Sequence, residues 1–151
     1  MTAATLKLRI VSPRGVLFDD GDISSIVAWG AGGKLEILPG HTRFLTSLRI
    51  EEMRIRKGAG RHLQETIWAV SGGFLEVDRE GVTVTTTSAE TSAEIDVERA
   101  RQSRERMLAF LKNGEGGGVE TLRARWALKR SEIRLKISTW REGGDRDDAR
   151  S

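Results

Sequence analysis

The chain has no cysteine. That excludes a disulfide framework and any thiolate metal site, and it fits a reducing compartment. No run of about 18 apolar residues occurs, so no segment reads as a membrane-spanning helix. The first residues lack the apolar core of a signal peptide and the Arg/Ser-rich pattern of a transit peptide, which points to a bacterial cytoplasmic protein. Tyrosine is absent, and Trp29, Trp68, Trp126 and Trp140 are scattered rather than clustered as stacking platforms on strands. Trp68 lies in a strand-like run and Trp126 on an apolar helical stripe, so both are expected to pack in the core. There are only two histidines. His41 follows a Pro-Gly turn without a partner triad, and His62 lies in a polar turn, so neither reads as catalytic. Gly72-Gly73 has no Lys-Ser/Thr behind it, as a phosphate loop needs. No paired carboxylates and no metal cluster stand out, so the sequence nominates no catalytic residue and no metal ligand.

What is present divides the chain in two. At 151 residues it suits one domain, or a small domain with an appendage. Residues 1–96 carry 11 Lys/Arg against 13 Asp/Glu, residues 97–141 carry 12 against 5, and residues 142–151 carry 2 against 4. The modest net charge of +3 therefore hides a basic block of +7 in residues 97–141. Such a block calls for a partner with an acidic face.

The first part reads as strands. Leu6, Leu8 and Ile10 alternate with Lys7, Arg9 and Val11, a period of two. Ile23–Trp29, Lys34–Leu38, Ile50–Arg56, Glu65–Val70, Phe74–Val77 and Val82–Thr87 are further short runs. They are punctuated by Pro13-Arg14-Gly15, Gly30-Ala31-Gly32-Gly33, Pro39-Gly40, Gly58-Ala59-Gly60, the Ser71-Gly72-Gly73 corner and Asp78-Arg79-Glu80-Gly81. Many short strands with glycine turns argue a sandwich or barrel. The second part has helical period. Asp96 stands ready as N-cap for a helix carrying Val97, Ala100, Arg104, Met107 and Leu111. Asn113–Gly118 breaks it. A second helix carries Val119, Leu122, Trp126, Ile133, Ile137 and Trp140 at spacings of three, four or seven. The expected fold is α+β in two segregated parts: an N-terminal all-β sandwich at 1–88, then a C-terminal antiparallel α-helical hairpin at 89–141. A polar tail at 142–151 is expected to be disordered.

The segment Leu38-Pro39-Gly40-His41 lies about thirty residues before Ser71-Gly72-Gly73. Together with the β-then-helical-hairpin order from Leu6 to about Trp140, it resembles the epsilon subunit of F-type ATP synthase. Glu36 stands where a second glycine is usual in that family, and Thr42-Arg43-Phe44 replaces the commoner Ala-Pro-Leu. The resemblance implies a non-catalytic rotor-stalk subunit, peripheral on the cytoplasmic face of the bacterial cell membrane. Its implied partners are the gamma subunit, the c-subunit ring and the alpha and beta subunits, with no nucleic acid and no membrane insertion. The basic hairpin would regulate ATP hydrolysis, with Arg123, Arg125 and Lys129 facing the beta subunit. Ile95-Asp96-Val97-Glu98-Arg99-Ala100 resembles the family's nucleotide-binding motif, completed by two arginines on the second helix. This implies an ATP site at Ile95, Asp96, Arg99, Ala100, Arg130 and Arg134, with ATP as a regulatory ligand rather than a required cofactor. The competing reading is a nucleic-acid-binding module with a β head and a basic helical tail, which would bind with steep salt dependence.

Overall fold

The computed structural model describes residues 4–114 and 117–140. Eight strands come first: β1 (Leu6–Ser12), β2 (Gly15–Ile23), β3 (Ser25–Gly30), β4 (Gly33–Ile37), β5 (Phe44–Lys57), β6 (Gln64–Val77), β7 (Val82–Thr85) and β8 (Ala89–Thr91). Two helices follow, α1 (Val97–Asn113) and α2 (Gly118–Ser138). The strands pair in the order β2-β1-β7-β6-β5-β3-β4, with β8 on β6 beside this path. Inward side chains from all eight strands meet in one cluster that includes Leu8, Ile10, Ile23, Ile26, Ile37, Met53, Leu75, Val84 and Ala89. The sheet is thus closed over its own face as a sandwich. Each fully buried Ile or Leu contributes about 1.5–3 kcal/mol relative to exposure.

The long β5–β6 hairpin is the spine of the head. Its pairing runs from Phe44 opposite Val77 to Lys57 opposite Gln64. Glu65–Val70 and Phe74–Val77 are therefore parts of a single strand, with the Ser71-Gly72-Gly73 corner inside it. The corner lets β6 serve β8 with residues 68–70 and β7 with residues 74–77. Gly73 has φ +114°, and a Cβ there would lie 2.0 Å from the Thr85 carbonyl oxygen. Only glycine fits that position.

Ile67, Trp68, Ala69 and Val70 are all buried, although consecutive strand residues point to opposite faces. Trp68 and Val70 enter the sandwich core, where Trp68 meets Phe18 edge-on at 5.6 Å. Ile67 and Ala69 point the other way, into a second cluster with Ile95, Ile133 and Ile137. That four-residue apolar run is the sequence trace of a strand covered on both sides. What covers the outer side is the C-terminal half of α2.

The two helices pack on each other as a hairpin. Buried Ala100, Ala124 and Ser131 are small, which allows close approach, and the Ser131 hydroxyl donates to the Ala127 carbonyl oxygen at 3.1 Å. Asp96 caps α1, its Oδ1 accepting from the Arg99 amide at 3.1 Å. Gly114 closes α1 in the left-handed conformation.

Three readings change. The sheet extends past residue 88, because β8 pairs with β6. β2, unread in the sequence, forms the edge beside β1. Trp126 is not core: it is 50% exposed, and Leu122 on the same stripe is 45% exposed. The stripe is continuous, but α2, at 21 residues, is about 31 Å long and overhangs the head. Of the stripe only its end lies on the head, with Ile133 and Ile137 buried there and Trp140 at the margin. The tail at 142–151 is outside the described residues.

Candidate functional site

The chemistry-bearing residues collect where α2 crosses the head and where α1 begins. Ile95 is buried between the two parts, sharing its cluster with Ile133 and Ile137. Asp96, next to it, is exposed, and its known bond is to the helix it caps. The Arg99 side chain is exposed and Ala100 is buried. The motif thus alternates between anchoring the hairpin and facing solvent.

Arg130 and Arg134 lie one turn apart on α2, as their spacing dictates. Arg130 is half-buried, and its pKa is pushed down first by burial and then by the nearby Arg134 charge. The two guanidinium groups thus carry like charge side by side in partial burial. Arg134 is already engaged: its Nε donates to Glu90 Oε2 at 3.0 Å, and Ser88 Oγ lies 3.5 Å from its terminal nitrogen. Among the described residues no carboxylate pairs with Arg130. The structure therefore brings Ile95 against the second helix and sets Arg130 beside Arg134, while the Arg99 side chain stays outside.

Arg123, Arg125 and Lys129 are all exposed. Arg125 and Lys129 are one turn apart on one side of α2. Arg123 sits on another, where it borders an open groove between the helices with Met107, Phe110, Glu120, Ala127 and Arg130. His41 is also exposed, its Nδ1 3.0 Å from the Thr42 carbonyl oxygen and its ring tilted 5.1 Å from that of Phe44.

Three carboxylates escaped the sequence reading. Glu90 meets Arg134, and Glu51 and Glu52 meet Lys136, whose Nζ lies 3.8 Å and 3.3 Å from their Oε1 atoms. These pairs join residues from 44 to 85 positions apart, so no local pattern could have linked them.

The comparisons agree with this division. Residues 5–92 match the family described as ATP synthase, Delta/Epsilon chain, beta-sandwich domain, and residues 93–139 match the corresponding long alpha-helix domain. The chain is 38% identical over 136 residues to the ATP synthase epsilon chain of Desulforamulus reducens, covering 90% of this chain and 98% of that one. It is 39% identical over 135 residues to the ATP synthase epsilon chain of Moorella thermoacetica, covering 89% and 97%. In structure it is similar to a chain of the Euglena gracilis mitochondrial ATP synthase, with a TM-score of 0.73 at 20% identity, covering 90% of this chain and 82% of that chain. With both parts matched in order and relatives aligned along nearly their whole length, this chain belongs to the ATP synthase delta/epsilon chain family.

Proposed function

We propose that this chain works in the rotor stalk by holding a partner with its sandwich head and by releasing or docking its basic hairpin. It is a non-catalytic ATP synthase subunit. Among the described residues no helix is long and apolar enough to cross a membrane, and membership of the ATP synthase family supports peripheral attachment at the cytoplasmic face. The head's partners are the gamma subunit and the c-subunit ring. Leu45 and Phe74, 66% and 57% exposed, support this. They are diagonal neighbours on the outer face of the β5–β6 hairpin, where Leu45 lies opposite Glu76 and Ser47 opposite Phe74. An apolar pair of this kind on a sheet face suits a protein surface.

The observation that carries the switching reading is the half-covered stripe of α2. Ile133 and Ile137 are buried on the head, while Leu122 and Trp126 on the same stripe are exposed. A helix held by half of its apolar face can exchange that partner for one covering all of it. The two packings then need differ by only about a few kcal/mol. In the released arrangement Arg125 and Lys129 face an acidic surface of the beta subunit, with Arg123 reaching it from the other flank of the helix, and together they restrain hydrolysis. Deleting the residues after Glu94 in the assembled enzyme should raise its ATPase rate. An unchanged rate with the complex intact would make the hairpin purely structural.

A second reading of the same hairpin is a regulatory ATP site, favoured by the Arg130–Arg134 pair beside the capped start of α1. The adenine would lie against Ile95 and Asp96, and Arg130 and Arg134 would meet the phosphates, with the exposed Arg99 side chain turning in from solvent to join them and Ala100 giving room at the helix seam. A charge-assisted hydrogen bond contributes about 1.5–3 kcal/mol. Arg130→Ala should therefore weaken ATP binding roughly ten- to a hundredfold by isothermal titration. Equal affinity, or no heat at millimolar ATP, removes the nucleotide from the mechanism.

A further inference from the structure

We propose that Lys136 and the adjacent carboxylates Glu51 and Glu52 form an electrostatic latch that sets how firmly the hairpin is held on the head. The inference rests on the mobile hairpin proposed above and names the contacts that regulate it. Glu51 and Glu52 are neighbours on β5, and both reach the same ammonium, at 3.8 Å and 3.3 Å. Their side chains are largely buried, at 19% and 13% exposure, whereas Lys136 is 59% exposed. Two like charges side by side with little solvent repel each other, and a cation above them relieves both. Glu52 has a second cation, Arg54, whose Nε lies 3.3 Å away. Among the described residues the only cation paired with Glu51 is Lys136, its Oε1 also accepting from the Glu52 amide at 3.2 Å.

The placement couples this pair to docking. Lys136 precedes Ile137, which is seated in the apolar seam against Ile67 and Ala69. The ammonium reaches Glu51 and Glu52 when that isoleucine is home and leaves when α2 lifts. Two residues earlier, Arg134 makes the matching contact with Glu90 at 3.0 Å. Two cations of α2, about 160° apart around the helix, thus straddle the Ile133–Ile137 stripe, and each lands on carboxylates of the head. Lifting the hairpin uncovers an acidic pair on the head and two cations on the helix. Removing the charge of Lys136, or screening it, shifts the balance toward release.

The chain's lack of cysteine allows a clean test on the full-length protein. Cysteines introduced at exposed Arg79 and Val119 carry a donor–acceptor dye pair whose energy transfer reports docked against lifted hairpin. A background of Ile137→Ala populates the lifted form enough to measure. In that background Lys136→Gln should lower the docked-to-lifted ratio about threefold to fivefold at low salt, since the ammonium is more than half exposed. With Glu51→Gln and Glu52→Gln also present, the same change should shift it less than about twofold. High salt should erase the difference. An equal Lys136→Gln effect in both backgrounds, or none in either, overturns the latch while leaving a mobile hairpin standing. If Ile137→Ala itself leaves energy transfer unchanged under every condition, the mobile hairpin falls, and the latch with it.

Discussion

Shortening Ile137 to alanine tests the idea that a small apolar seam holds the two parts together. Ile137 is 1% exposed and packs in a cluster of Ile67, Ala69, Ile95 and Ile133, with Ile50 and Trp140 at its margin. Removing a buried isoleucine down to its Cβ costs about 2–5 kcal/mol, less where neighbours can collapse into the space. This seam lies at the edge of the molecule between two separable elements, so the lower part of that range applies, about 2–3 kcal/mol. The docked-to-lifted ratio should fall roughly thirty- to a hundred-and-fiftyfold. The loss is local, because the sandwich core of Leu8, Ile10, Ile26, Leu75 and Val84 is a separate cluster that Ile137 does not touch. Amide hydrogen exchange provides the assay: protection should drop along Ser131–Ser138 and stay unchanged in β1 and β7. Trp126→Ala on the same stripe serves as the contrast, since its side chain is half exposed. It should alter docking by no more than about 0.5 kcal/mol. Equal effects of the two substitutions, or a uniform loss of protection across the sandwich, would refute the two-part seam.

Gly73→Ala should destabilise the head by about 3 kcal/mol or more, read as a lowered urea midpoint, because the new Cβ would lie 2.0 Å from the Thr85 carbonyl oxygen. Asp96→Ala removes the cap on the Arg99 amide and should cost about 1 kcal/mol, with faster exchange confined to the first turn of α1. The Asp20 carboxyl is held below its ordinary range first by the hydrogen bond from Lys57, at 2.7 Å, and then by the Asp22 amide, while the same hydrogen bond raises Lys57. A lowered carboxylate contributes stability above its unfolded pKa and loses it as pH falls through the folded value; a raised ammonium contributes below its unfolded pKa and loses it as pH rises through the folded one. The tie between β2 and β5 is therefore intact across neutral pH and weakens at both ends. Lys57→Gln should return the Asp20 titration toward its ordinary value by NMR.

Much was decided locally and could be read without coordinates. Period-two alternation placed Leu6, Leu8 and Ile10 inside, and all three are buried. Asp96 reaches only three residues along the chain to cap α1, so its role is written in the sequence around it. The glycine corner at Ser71–Gly73 is visible too, although local sequence does not distinguish a break from the bend within one strand that the pairing shows. The short β8, three residues long, shows no period, and β2 carries Asp19, Asp20 and Asp22, which mask its alternation.

Periodicity fixed that α2 has one apolar stripe, since side chains three, four and seven apart share a face of a helix whatever surrounds it. It could not fix how much of that stripe is covered. That depended on where the head ends beneath a longer helix, so Ile133 and Ile137 are buried while Leu122 and Trp126 are not. The same holds for charge. The sequence set a basic block after a slightly acidic head, but only the docking of α2 chose Glu90 for Arg134 and Glu51 with Glu52 for Lys136. An ion pair acts over a few ångströms of space and takes no account of chain separation, so its partners become known only when the fold has brought them together.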